Sequence, residues 1–143
     1  MNKYMEMRHR HQEEVNTFPI HFCFGEEQIR KTFAELGLDR ERDLDKIAVI
    51  KGTGGFVLKK DAPALKEMLD RHSREMEEAI AGDKSGDGFI YEMFLYELNN
   101  HEYGYTYDAS DTLRSLGLTL KQIEANPAMK HGWEKAKKEI EGD

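Results

Sequence analysis

A single cysteine, Cys23, cannot close an internal disulfide or build a cysteine-rich zinc site, which fits a reducing compartment. Nowhere does an apolar run approach the roughly 18 residues of a membrane helix. The opening Met1-Asn2-Lys3-Tyr4-Met5-Glu6 lacks the apolar stretch of a signal peptide, so the sequence predicts a cytoplasmic protein with no membrane partner. Positive charge is also short. Against 28 Asp and Glu stand 21 Lys and Arg, a formal net charge of −7, which disfavours direct nucleic-acid binding through a general positive field. No linker or low-complexity stretch divides the 143 residues, and the expectation is a single globular domain over 1–143. The remainder, 38% hydrophobic and 34% charged, is a foldable composition because its apolar residues fall in periodic segments.

Residues 3 to 15 are polar helix formers with few apolar positions, and predict an exposed helix. Phe18, Ile20, Phe22 and Phe24 then alternate with Pro19, His21 and Cys23, the pattern of a strand with four large side chains on one face. Ile29, Phe33 and Leu36 recur at helical spacing up to Gly37, which predicts a helix over 26–36. Two short runs, 47–50 and 56–58, flank Lys51-Gly52-Thr53-Gly54-Gly55 and read as a hairpin, which with the Phe strand makes a three-stranded antiparallel sheet. Asp61 and Pro63 open a long helix whose stripe is Leu65, Met68, Leu69, His72, Met76 and Ile80, ending at Gly82. The segment from Phe89 to Leu98 is apolar on nearly every side, as a central helix should be. A loop over 99–108 leads to a short helix ending at Leu116-Gly117-Leu118, and Thr119 and Asn126 cap two more, the last with Met129, Trp133, Ala136 and Ile140 on one face. The predicted fold class is α+β, with about six helices and a small three-stranded antiparallel sheet. One internal echo, Thr32 to Leu38 against Thr112 to Leu118, reads as a shared helix-ending device, glycine followed by a leucine that packs back.

Several motifs carry chemistry by type and spacing. Asp83-Lys84-Ser85-Gly86-Asp87-Gly88-Phe89-Ile90 matches the start of an EF-hand loop, with oxygen ligands at Asp83, Ser85 and Asp87. Position twelve is Phe94, where the loop needs a bidentate Glu, so the expectation is a helix–helix connection whose Asp and Gly residues cap and turn, with no cofactor bound. Among the six histidines none forms the i, i+4 pair with an intervening Glu of a zinc hydrolase, and His72 on its apolar stripe reads as a core residue. Gly52-Thr53-Gly54-Gly55 lacks the Lys-Ser or Lys-Thr of a phosphate cradle and reads as a turn. Asn100, His101, Glu102, Tyr103, Tyr105 and Tyr107 form the candidate binding site, since an acid–base pair sits there among tyrosines that add contact area at low entropic cost. No nucleophile stands beside them, so no catalytic residue is assigned.

The run Gly86 to Tyr91, then Phe94-Leu95-Tyr96-Glu97-Leu98-Asn99-Asn100-His101-Glu102-Tyr103-Gly104-Tyr105-Thr106, with Thr112-Leu113 and Leu116-Gly117-Leu118-Thr119, resembles a family of small proteins of unknown function from Gram-positive bacteria, their phages and mobile elements. The resemblance covers most of the chain. It implies a setting in mobile DNA and no assigned activity, cofactor or catalytic residue. With the acidic charge, it predicts a non-catalytic protein that binds a protein partner and inhibits a host or defence factor, nucleic-acid mimicry being one means. The alternative is a small enzyme or ligand binder using the His101, Glu102 and tyrosine loop. A degenerate EF-hand-like calcium binder ranks third.

Overall fold

The computed structural model describes residues 2–142. The chain runs α1 (Lys3–Thr17), β1 (His21–Phe22), α2 (Glu26–Glu35), β2 (Ile47–Ile50), β3 (Gly55–Leu58), α3 (Ala62–Gly82), α4 (Phe89–Asn100), α5 (Tyr103–Thr106), α6 (Ser110–Leu116), α7 (Leu120–Glu124) and α8 (Pro127–Glu141). The class is α+β, as expected: among the described residues eight helices form, six of them seven residues or longer, beside one three-stranded antiparallel sheet. Two compact units emerge, one of His11–Ser73 and one of the residues up to Arg10 with those from Arg74 onward.

In the His11–Ser73 unit the strand order is β1-β3-β2, with β3 central. Alternation along β3 sends Val57 and Phe56 to opposite faces. Val57 packs with Leu65 and Met68 of α3, joined by Val15, Phe18 and Ile20. Phe56 meets Phe33 of α2 at 5.6 Å between ring centres. The hairpin closes through Gly52 and Gly54, at φ 80° and 75°, and the Thr53 hydroxyl accepts from the Gly55 amide at 3.1 Å. That amide is therefore engaged within the turn, as the hairpin reading requires.

The Phe strand needs correction. Only His21 and Phe22 pair with β3, and Phe22 and Phe24 are 53% and 77% exposed. Phe22 lies over Gly55, where a Cβ would stand 2.8 Å from its ring, and Phe24 lies near Gly54. The two glycines thus leave flat backbone that the rings cover from the solvent side. Phe18 and Ile20 are the pair that reach the core.

In the other unit α4 is central. Phe89, Ile90, Met93, Phe94 and Leu98 pack with Tyr4, Tyr103, Ile123, Met129, Trp133 and Ala136, each apolar side chain worth about 1.5–3 kcal/mol when buried. Tyr4 corrects the picture of α1 as simply exposed. Close approach of α8 to α4 requires Gly132, where a Cβ would stand 2.6 Å from Ile90 Cγ2. Both predicted caps form: Thr119 makes a capping box with Gln122, and Asn126 accepts from the Met129 amide at 3.2 Å. The internal echo is indeed a helix-ending device. Leu38 donates to the Phe33 carbonyl and Leu118 to that of Leu113, around Gly37 and Gly117 at φ 73° and 67°.

Candidate functional site

The segment expected as a loop over 99–108 is more ordered than its polar sequence suggests. Helix α4 continues to Asn100, His101 ends it, and α5 adds a single turn before α6. Glu102 and Tyr107, which flank that turn, are both left-handed at φ 58° and 53°, the only such non-glycine residues among those described. For an L-residue that conformation costs roughly 1–2 kcal/mol, so neighbouring contacts must hold the turn in place.

Such contacts are present along the whole turn. The buried Tyr103 hydroxyl donates to Glu141 Oε1 on α8 at 2.7 Å. Burial, and then the Glu141 carboxylate, push the Tyr103 hydroxyl up to about 12. Its ring meets Tyr107 edge-on at 5.9 Å. Gly104 rests on α8, since a Cβ there would lie 3.2 Å from Ile140 Cγ2. At the far end Asp108 accepts from the Ser110 amide at 2.9 Å and its hydroxyl at 2.6 Å, contacts that hold its carboxyl below the usual range. On this anchored turn Tyr105 is 89% exposed and Tyr107 is 64% exposed.

The structure thus divides the six predicted residues. Tyr103 is the buried anchor, Tyr107 bridges it to the surface, and Tyr105, Asn100 and Glu102 are exposed. His101 turns the other way, its Nε2 3.8 Å from Glu97 Oε1, one helical turn back.

Glu97 is the residue that sequence reasoning missed. It is buried in α4, accepts a hydrogen bond from the Tyr4 hydroxyl and another from Arg8 Nε at 3.2 Å, and gives its backbone carbonyl to Thr112 Oγ1 at 3.3 Å. Arg8 also lies 5.0 Å above the Tyr96 ring. Burial, and then Glu97, raise the Tyr4 hydroxyl well above its ordinary value. The signal in the sequence was a carboxylate flanked by apolar residues in the second half of an apolar helix, since a buried acid needs donors. Both of its donors come from α1, so the group ties the start of the chain to the central helix.

The EF-hand-like segment is built as a connection. Asp83 accepts from the amides of Gly86, Gly88 and Ile90 at 3.0–3.1 Å, capping α4 from outside the helix. Ser85 accepts from the Asp87 amide at 3.1 Å. Asp87 pairs outward with His131 at 2.7 Å and Lys135 at 3.1 Å on α8, which lower its carboxyl in that order of effect. Among the described residues no three His, Cys, Asp or Glu side chains are grouped to hold a metal ion. His72 is buried, as expected, but rests on stacking rather than hydrogen bonding: its ring lies 3.8 Å from that of His11, and Nε2 stands 3.4 Å from Glu14 without the alignment of a hydrogen bond.

The model of a family of unknown function, DUF7659, matches residues 3–139. The chain belongs to this family. An uncharacterised family is what the motif resemblance implied. The match takes in the tyrosine turn, the Glu97 group and the Asp83 connection alike. No curated protein and no solved structure matches the chain. No helix of the described residues is long and apolar enough to cross a membrane.

Proposed function

We propose that this member of DUF7659 is a protein-binding module that engages its partner through the turn at Glu102–Tyr107. The observation that carries the reading is Tyr105, an aromatic ring 89% exposed on a one-turn helix whose flanking residues are held left-handed and whose first tyrosine is buried. Solvent exposure of such a ring is unrewarded in the free protein, while rigid tyrosines serve interfaces well, giving contact area and a hydroxyl at low entropic cost. Strained backbone persists where the surroundings over-determine it, and such sites cluster at binding surfaces.

Exposed Glu102 and Asp108 beside the rings, on a chain of net charge −7, suit a partner with a basic surface. In the mobile-DNA setting that the motif resemblance implies, such a partner would be a cytoplasmic host or defence factor, with acidic mimicry of nucleic acid as the means of inhibition. Use of His101 with Glu102 as an acid–base couple is less well supported, because the imidazole neighbours Glu97 instead. The test is quantitative capture from host lysate with the native chain, Tyr105→Ala/Tyr107→Ala, and a control at exposed Leu120 on α7. The reading requires loss of one specific partner in the tyrosine variant alone. Equal capture by all three chains would defeat it.

A further inference from the structure

Within the His11–Ser73 unit, residues 11–17 of α1 meet the start of α3 along one seam. Val15 and, one residue past the helix, Phe18 pack with Leu65 and Met68. His11 lies four residues before Val15, and His72 four after Met68, so each histidine continues its helix's apolar side and the two form the polar end of the seam. Their rings stack with centres 3.8 Å apart and planes within 11°. His72 is buried, and its Nε2 has no hydrogen bond.

Burial first, and then His11, hold the His72 imidazole below its ordinary value; Arg71 beside it on α3 acts in the same direction, and Glu14 of α1 against it. Glu14 already pairs with Arg71, whose hydrogen bond is the main reason its carboxyl is pushed down to about 2, so Glu14 stays charged through mild acid. A proton on His72 therefore meets desolvation, a second imidazole at contact distance and a neighbouring guanidinium. We propose that the His11–His72 stack is an acid-sensitive latch, closed while His72 is neutral, whose opening on protonation of His72 loosens residues 11–17 of α1 from α3. An imidazole released into water takes up its proton near pH 6.5, so the closed form is fully favoured above that value and loses ground as pH falls below it. Backbone pairing of β3 with β1 and β2 involves no group that titrates there, so the loosening is confined to the helix seam. Opening bares Val15, Leu65 and Met68 to water.

Amide hydrogen exchange of the full chain at pH 7.5 and pH 5, corrected for the intrinsic pH dependence of exchange, tests the latch, with the His72 ring titration followed by NMR in the same samples. Protection over residues 11–17 should fall about tenfold or more at pH 5, in step with protonation of His72, while that of Val57 in β3 holds. His72→Phe keeps a buried ring without a proton site, and its protection should be the same at both pH values. Protection over 11–17 that ignores pH, a loss that does not track the His72 titration, a loss shared equally by β3, or a loss that persists in a folded His72→Phe chain would each overturn the proposal. Should His72→Phe fail to fold, the native arms decide alone.

Discussion

Replacing Glu97 by Ala should be among the costliest single changes in the molecule. The carboxylate is buried and accepts from Tyr4, itself buried, and from Arg8, whose side chain is 41% exposed. Loss of the acceptor leaves the Tyr4 hydroxyl with no protein partner in a dry site, at about 1–3 kcal/mol. Arg8 can turn to water, so its pairing adds only about 0.5 kcal/mol. The shortened side chain also leaves a small void against the core, and together these give roughly 2–4 kcal/mol. Glu97→Gln, which keeps an oxygen for the hydroxyl, should lose about half as much. Urea unfolding followed by circular dichroism reads both, and an alanine variant within about 0.5 kcal/mol of the native chain would refute the reasoning. Tyr4 adds a pH signature. Its hydroxyl titrates higher when folded than the 10.0 of the free side chain, so the folded state favours the neutral form. That stability is complete below about pH 10 and is lost as pH rises further, because the unfolded chain ionises first. Tyr4→Phe should flatten the alkaline limb.

Other predictions rest on single contacts. Gly86→Ala should destabilise by roughly 2–4 kcal/mol, because φ is +83° and a Cβ would stand 2.1 Å from the Ala128 carbonyl oxygen; an unchanged melting temperature would contradict this. Phe33→Ala should cost about 3–5 kcal/mol and Phe22→Ala under about 1 kcal/mol, and equal losses would show that β1 is wrongly placed. Asp83→Ala should cost about 1–2 kcal/mol by uncapping α4, while calorimetry of the native chain should show no micromolar calcium binding, which saturable heat would contradict.

How much of this could be read from sequence depended on range. Periodicity located α2, α3 and α8, and local cap chemistry marked Thr119 and Asn126, because each of those signals is complete within a few residues. The Phe alternation misled because a period of two also arises where rings cover a glycine turn: Phe22 and Phe24 owe their positions to Gly55 and Gly54, some thirty residues away. Glu97 was hidden for a related reason. Its donors lie on α1, some ninety residues back, and nothing near Glu97 in sequence names them. For the candidate site, the sequence picked out the stretch but could not sort its tyrosines. The buried anchor, Tyr103, is defined by Glu141 on α8, and Tyr105 is set apart from it by its exposure.

The role proposed for this protein depends on whether the tyrosine turn is a binding surface. The decisive measurement pairs thermal stability with partner capture for Tyr105→Ala, Tyr107→Ala and Tyr103→Phe. Tyr105→Ala should unfold within about 0.5 kcal/mol of the native chain and lose its partner, whereas Tyr103→Phe should cost about 1 kcal/mol through Glu141 and weaken capture only as far as the turn loosens. Capture that survives Tyr105→Ala and Tyr107→Ala together, in chains that remain folded, would contradict the central claim.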